Sequence, residues 1–135
     1  MILIVCVDDH NGMMFNHRRQ SQDLVLRADI LELTDGKKIW MNAYSRKQFA
    51  ESDAEKILVD ETFLDAAGDG EFCFVENADV SGCVERIEEI YLYRWNRDYP
   101  ADVYFPVDLS MWKCVETKEF AGSSHEKITR ERYTR

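Results

Sequence analysis

The feature that most constrains the fold is the opening run MILIVCV, in which every residue is apolar. A short run of this kind, rich in β-branched residues and without alternation, is typical of a strand buried on both faces of a parallel sheet. The turn-forming stretch DDHNG follows at once, so the run is too short and wrongly flanked for a membrane span or a secretory signal. We therefore expect a central strand here and a cytoplasmic protein that does not associate with a membrane.

The stretch after this turn carries the pattern of one amphipathic helix. Leu26, Ile30 and Leu33 recur at intervals of four and three residues and form one apolar stripe. Ser21 belongs to the residue types that cap helices, and Gly36 supplies a good stop. The pattern predicts a helix between these two residues.

The rest of the chain alternates between strand-like and helix-like segments. Strands are expected in KKIWMNAY, KILVD, FCFVE and EEIYLYRW, and helices in SRKQFAES and ADVSGCVERI. The last two segments, WKCVETKEF and KITRERYTR, predict a hairpin joined by AGSSHE. This order indicates an α/β fold with a mostly parallel central sheet flanked by helices and an antiparallel C-terminal hairpin. With 135 residues and no repeat, we expect a single domain over residues 1–135.

The formal charge of −9 argues against a surface built for nucleic acid. Such proteins gain affinity by placing Lys and Arg against phosphates, and the basic tail HEKITRERYTR is explained more simply by a solvated strand face. We expect no nucleic-acid partner. A nucleotide- or RNA-processing enzyme is kept as a remote alternative, which would use the tail arginines with Asp8, Asp9, His10, His17 and His125.

No group of residues has the spacing of a metal site. The four cysteines lie far apart and form no Cys-x-x-Cys pair, which disfavours both zinc and thioredoxin-type redox chemistry. They are Cys6, Cys73, Cys83 and Cys114. The stretch DDHNGMMFNH gathers acids and histidines, but it lacks the oxygen-rich loop of calcium sites and the ligand spacing of zinc sites. We expect no metal.

Four segments carry recognisable motifs: LIVCVDDHNGMMFN, IWMNAYS, IYLYRWNRDYPADVYFP and the tail SSHEKITRERYTR. Together they resemble the dihydrofolate reductase family. LIVCVDDHNGMMFN is similar to that family's first strand and mobile active-site loop, usually of the form AVD-x-x-x-GIG-x-N. IWMNAYS lies where the family has IMGR-x-T, and IYLYRWNRDYPADVYFP is similar to the strand and loop that end in D-x-x-FP. The tail SSHEKITRERYTR fits the closing strand, which often carries an s-H-x-Y stretch. The anchors need almost no gaps, so the resemblance covers most of the chain and implies the family's fold, with the DDHNG acids as turn residues.

The resemblance implies hydride transfer from NADPH to a pterin ring, assisted by one carboxylate in the first helix. Counting from Asn16 or back from Met41 places that carboxylate at Leu26, and a leucine can neither hydrogen-bond the pterin nor assist its protonation. Asp23 and Asp29 lie about one turn to either side and are the candidate replacements. The simpler expectation is that Asp23 is a first-turn acid and Asp29 a solvated one.

The positions that would hold the cofactor are altered as well. The family's Gly-Gly pair, where the backbone approaches the diphosphate, falls on Val75 and Glu76, a branched residue and an acid that would block and repel it. The family's phosphate-binding arginine falls on Ala43, with Asn42 in place of the preceding glycine. Ser45 keeps the hydroxyl of the family's threonine. We therefore expect no cofactor. NADPH would be bound only if reductase activity survives.

The cofactor-binding lobe is also expected to be reduced, around residues 46–76. A second phosphate-contacting segment is now the acidic VDET, which contains Asp60 and Glu61. Between Ser45 and Phe74 the chain is too short for the family's adenosine-binding strand and helix. Like the altered Gly-Gly pair, these departures predict that the chain does not bind NADPH in the family's manner.

The residues that would face the pterin are mostly apolar. An apolar pocket with a few polar tips is a reasonable site for a small heterocyclic ligand, but the same side chains would equally well form a collapsed core. They are Val5, Leu26, Ile30, Phe49, Phe74 and Tyr93.

Two functions are therefore weighed besides the remote nucleotide- or RNA-processing role. The first is a catalytically silent member of the fold that binds a small ligand or a protein. The second is an active reductase of dihydrofolate or a similar heterocycle, with Asp23 or Asp29 as proton donor. A homodimer is a further expectation, because a shortened cofactor lobe would leave apolar surface for a second copy to cover.

Overall fold

The computed structural model describes residues 1–135, with ten strands and three α-helices. The strands are β1 (Ile2–Val7), β2 (Gly12–Phe15), β3 (Arg18–Arg19), β4 (Ile39–Met41), β5 (Ile57–Val59), β6 (Phe72–Val75), β7 (Glu89–Arg94), β8 (Val103–Tyr104), β9 (Lys113–Phe120) and β10 (Ile128–Thr134). The helices are α1 (Leu24–Leu33), α2 (Ala43–Arg46) and α3 (Phe63–Ala66). Short 3-10 segments occupy Glu51–Asp53, Ser81–Arg86 and Leu109–Met111.

Seven strands form one sheet in the order β5-β4-β6-β1-β7-β10-β9. The first five run parallel, and Ile2 of β1 lies beside Phe72 on one side and Glu89 on the other. β9 and β10 form the C-terminal hairpin, and β10 joins the sheet antiparallel to β7. The predicted α/β class is confirmed, with a mostly parallel sheet, an antiparallel hairpin at one edge and β1 in its interior.

β1 is buried on both faces because its side chains alternate between two cores. Leu3 and Val5 belong to the larger core, whereas Ile4 belongs to the smaller one on the opposite face. α1 covers the smaller core with Leu26 and Ile30, two members of the predicted stripe. The opening apolar run therefore contributes side chains to both cores.

The larger core is closed by short elements at a place where a helix was expected. The segment ADVSGCVERI forms a 3-10 segment, Ser81–Arg86, that is interrupted at Cys83, whose φ and ψ of −128° and 15° are not helical. None of the residues in the segment is fully buried, although Cys83 and Val84 pack against the larger core, and the buried contacts come from Val80 and Ile87 at its two ends. Val80, Cys83, Val84 and Ile87 have the spacing of a helical stripe, but Gly82 in the middle of the segment disfavours an α-helix.

Two helices begin at residues other than those predicted. α1 begins after Asp23 rather than Ser21, because the Asp23 carboxylate accepts hydrogen bonds from two backbone N–H groups of the first turn, at 2.9 and 3.1 Å. α2 begins two residues before the SRKQFAES segment, because Asn42 caps it and accepts from the Ser45 N–H at 3.0 Å. In both cases a side-chain acceptor satisfies N–H groups that the helix itself leaves free, and this fixes the start.

A second sheet of three strands, in the order β3-β2-β8, was not predicted. β2 pairs antiparallel with both neighbours. These strands have two to four residues, which is too short for a period of two to show in the sequence. None of the helices has the length and apolar character needed to cross a bilayer.

Candidate functional site

A narrow crevice lies at the carboxyl ends of the central strands, where open α/β sheets bind their ligands. Its enclosed volume is about 10 Å³, which is room for about one water molecule. About half of the lining residues are apolar and the rest carry polar or charged tips. They are Cys6, Met13, Arg19, Gln20, Ser21, Asp23, Leu26, Gln48, Phe74, Val75, Glu76 and Trp95.

An ion pair between Arg19 and Glu76 closes one side of the crevice. The Arg19 guanidinium donates to the two Glu76 carboxylate oxygens from Nε at 2.8 Å and from Nη2 at 3.1 Å. It also lies over the Tyr44 ring, 4.5 Å from its centroid. Burial works against the charge of Arg19, but its bond to Glu76 raises the pKa of the guanidinium above its usual value. The acid at the expected Gly-Gly position is thus already neutralised from within the chain.

The altered cofactor positions are held together by hydrogen bonds. The Asn42 side-chain amide donates to the Asn77 side-chain oxygen at 2.7 Å, which joins the start of α2 to the residue after Glu76. The Ala43 N–H donates to a Glu61 carboxylate oxygen at 2.8 Å. Ser45 is buried, and its hydroxyl has no partner. Internal side chains therefore occupy the first donors of α2, at the place that the resemblance assigns to a phosphate.

Asp29 is buried in an ionic cluster, whereas we expected it to be solvated. Its side chain is 7% exposed and accepts from Tyr93 Oη at 2.6 Å, from Lys118 Nζ at 2.7 Å and from Arg130 Nη1 at 2.8 Å. Burial opposes ionisation, but the hydrogen bonds from Lys118 and Tyr93 and the charge of Arg130 lower the pKa of Asp29. Asp29 is not among the lining residues of the crevice. No local pattern indicated the cluster, because its members lie on α1, β7, β9 and β10.

Asp23 is also buried, and its hydrogen bonds connect the start of α1 to the turn before β10. Besides capping the helix, its carboxylate accepts from the Ser123 N–H at 3.0 Å and from the Ser124 N–H at 2.8 Å. The His125 Nδ1 lies 3.1 Å from one of its oxygens. Burial opposes ionisation, but these backbone and side-chain donors lower the pKa of Asp23 well below its usual value. The predicted first-turn acid is in fact the residue before the helix.

His125 completes a polar cluster that the sequence did not reveal. Its ring stacks on Trp95 with centroids 4.6 Å apart, and its side chain is 1% exposed. While Nδ1 faces Asp23, Nε2 lies 2.9 Å from Tyr99 Oη and 3.2 Å from Ser21 Oγ. The family pattern placed a histidine in the hairpin, but only the fold brings it to the start of α1.

The predicted pocket residues divide between the crevice and the cores. Leu26 and Phe74 line the crevice. Val5, Ile30 and Tyr93 are fully buried in core positions. Phe49 packs edge-on against Phe74 with ring centroids 5.7 Å apart. The structure thus shows a closed arrangement, with two of the six residues at an opening.

The acids and histidines after β1 do not converge. Asp8 is buried and accepts from the Gly12 N–H at 2.7 Å and the Tyr99 N–H at 3.2 Å, so it organises the turn. His10 and His17 are exposed on the surface. No three His, Cys, Asp or Glu residues are arranged to hold a metal ion.

Comparison with known proteins supports the fold alone. No protein-family model and no curated protein matches the sequence. Among solved structures, the fold is similar to dihydrofolate reductase from Enterococcus faecalis complexed with NADP(H) and RAB-propyl, with a TM-score of 0.69 and 12% sequence identity. The match covers 99% of this chain and 95% of that one. The chain therefore has the dihydrofolate reductase fold, as its motifs predicted.

Proposed function

We propose that this protein uses the dihydrofolate reductase fold as a binding module for a small heterocyclic ligand and not as a conventional NADPH-dependent reductase. One observation carries the proposal: the Arg19–Glu76 ion pair lies where the resemblance requires bare backbone beside a diphosphate. The Val75 and Glu76 side chains occupy that approach, and the guanidinium beside them is already engaged.

Electrostatics strengthens the argument. A diphosphate placed at this corner would face the carboxylates of Glu76 and Glu61, and it would have to separate Arg19 from a carboxylate that is 10% exposed. Breaking a buried ion pair by removing one partner costs about 3 kcal/mol or more, because it leaves the other charge uncompensated. The net charge of −9 adds a repulsive field.

The crevice itself offers features that suit a small heterocycle. Its apolar walls include Leu26 and Phe74, and two buried polar atoms in it lack partners: the Gln20 side-chain oxygen and the Gln48 side-chain nitrogen. One is an acceptor and the other a donor, which matches the edge of a ring that carries both kinds of group. Because the enclosed volume is about 10 Å³, a ligand must displace side chains to enter.

Titration with NADPH, followed by nucleotide fluorescence, tests the loss of cofactor binding. We expect no saturation below about 1 mM, a concentration that corresponds to only about 4 kcal/mol of binding free energy. The matched variant is Val75→Gly combined with Glu76→Gly, which restores the glycine pair and should bind more tightly than the parent. Micromolar binding to the parent chain would overturn the proposal.

An active reductase is the second candidate, because the chain shares its fold with an enzyme complexed with NADP(H) and carries a buried acid on α1. Against it, Asp29 is held as a carboxylate by Lys118 and Arg130 and does not line the crevice. NADPH oxidation that depends on dihydrofolate and disappears in Asp29→Asn would establish this candidate. Oxidation that survives the substitution would point to another proton donor, with Asp23→Asn as the next variant.

A further inference from the structure

Ser21, His125 and Asp23 form a linear chain of polar contacts that ligand binding does not explain. Ser21 Oγ lies 3.2 Å from His125 Nε2, and His125 Nδ1 lies 3.1 Å from Asp23 Oδ2. Ser21 and Asp23 both line the crevice. Hydroxyl, imidazole and carboxylate in this order constitute the arrangement that activates a serine nucleophile on several unrelated folds.

We propose that Ser21 is a nucleophile for acyl transfer from small carboxylic esters, with His125 as the general base and Asp23 as a positioning residue. The inference goes beyond ligand binding, although it uses the same crevice. The carboxylate is buried and bound by backbone donors, so it fixes the orientation of the imidazole ring with Nδ1 protonated. Nε2 is then the acceptor that faces the hydroxyl.

The reaction balances without an oxidant, a reductant or a metal. Ser21 Oγ adds to the ester carbonyl carbon while its proton passes to His125 Nε2. The carbon–oxygen bond to the alcohol then breaks, and the leaving alkoxide takes that proton. Water, deprotonated by the same nitrogen, attacks the acyl-serine, releases the carboxylic acid and restores Ser21. The sum is the hydrolysis of an ester to an acid and an alcohol.

The surroundings of Ser21 define the class of substrate. The Gln48 side-chain nitrogen, a donor without a partner, lines the same crevice and is the group available to an oxyanion. Met13 and Trp95 supply apolar walls. Because the enclosed volume of about 10 Å³ holds only about one water molecule, even a short acyl group must displace side chains to enter, which favours the smallest esters.

Tyr99 makes the proposal testable, because it competes with Ser21. Its hydroxyl lies 2.9 Å from His125 Nε2, closer than that of Ser21 at 3.2 Å, and both are donors to one acceptor. Removing the Tyr99 hydroxyl should leave Nε2 to Ser21 alone and so increase the reactivity of the serine. A network that only supports the fold would show no such gain.

The experiment measures covalent labelling by an alkyl fluorophosphonate, which loses fluoride to an activated serine, with intact-mass kinetics and peptide mapping. We expect one label, on Ser21, and none in Ser21→Ala. Tyr99→Phe should be labelled several-fold faster, and His125→Gln at least about 100-fold more slowly, which is the usual loss on removing a general base. Release of nitrophenol from p-nitrophenyl acetate should follow the same order.

Several controls separate reactivity from folding. Ser110→Ala removes a serine outside the cluster and should be labelled like the parent. Circular dichroism confirms that each variant is folded, and Tyr99→Phe keeps the proposal testable if His125→Gln does not fold. No labelling of folded parent protein, a label on Ser124, or an unchanged rate in Tyr99→Phe would each overturn the inference. None of these results depends on NADPH binding, so each of the two proposals can be refuted without refuting the other.

Discussion

The buried carboxylates are the residues whose environment departs most from an ordinary surface. Asp8, Asp23 and Asp29 are each nearly excluded from solvent, and each is surrounded by internal donors. An ionised carboxylate is stable in such a place only while its donors stay in position, because burial without partners costs several kcal/mol. These three side chains therefore hold the fold together, whether or not they take part in chemistry.

Asp29→Asn should destabilise the protein by about 3 kcal/mol, because it leaves Arg130 buried without its strongest partner. The ion pair that Arg130 would retain is with Glu116, whose carboxylate lies 3.3 Å away and is about half exposed, and the Arg130 Nε has no partner. Urea unfolding measures the change. Glu32→Gln is the matched control on the exposed face of the same helix and should shift the free energy of unfolding by less than about 0.5 kcal/mol. Equal shifts in both variants would contradict the prediction.

Among the contacts between elements, the one that joins the start of α1 to the turn before β10 is tightly packed. Gly122 lies so close to the Asp23 carboxylate that a side chain there has no room, and an added Cβ would also lie 2.9 Å from Ile128 Cδ1. This contact joins two elements about 100 residues apart in the chain. It also sets the position of His125 beside Ser21.

Gly122→Ala should therefore destabilise the protein by about 1 to 3 kcal/mol, the usual cost of forcing atoms into a packed contact. Gly82→Ala is the control, because an added Cβ there meets nothing within 4 Å. We expect it to be neutral or slightly stabilising, since it only restricts the unfolded chain. Thermal unfolding of the two variants in parallel gives the comparison. A neutral Gly122→Ala would show that the turn can move away from Asp23.

At the scale of the whole molecule, one sheet separates two cores that β1 supplies from its alternate faces. Trp112 belongs to one core and Trp95 to the other. Because both cores share the same central strand, neither can lose its packing without exposing the other. This is the physical basis for our prediction that residues 1–135 form one domain.

We predict a single cooperative unfolding transition that both cores report together. The third tryptophan, Trp40, packs against the larger core. Trp95→Phe therefore leaves only the fluorescence of the larger core, and Trp112→Phe combined with Trp40→Phe retains only that of the smaller one. In urea, the two variants should each give fluorescence and circular dichroism curves that coincide. If fluorescence and circular dichroism separate in either variant, the cores unfold independently and the single-domain prediction is wrong.

The acid dependence of stability follows from the lowered pKa values of Asp23 and Asp29. A carboxylate whose pKa is lower in the folded state stabilises that state above its unfolded pKa of about 3.9, and this contribution is lost as pH falls through the folded value. The free energy of unfolding should thus decline below about pH 4. Asp29→Asn should show a shallower decline, because one of the carboxylates with a lowered pKa no longer titrates. A parallel decline in the variant and the parent would exclude Asp29 as a source.

The sequence predicted the central sheet, the hairpin and the long helix, since MILIVCV and the stripe of α1 are local patterns whose burial follows from their spacing. It also indicated that Val75 and Glu76 replace a glycine pair. The neutralisation of Glu76 by Arg19, the burial of Asp29 and the contact between His125 and Ser21 follow only from the three-dimensional fold. These contacts join residues from 57 to 104 positions apart, and their energies depend on exclusion from water, which no local pattern encodes.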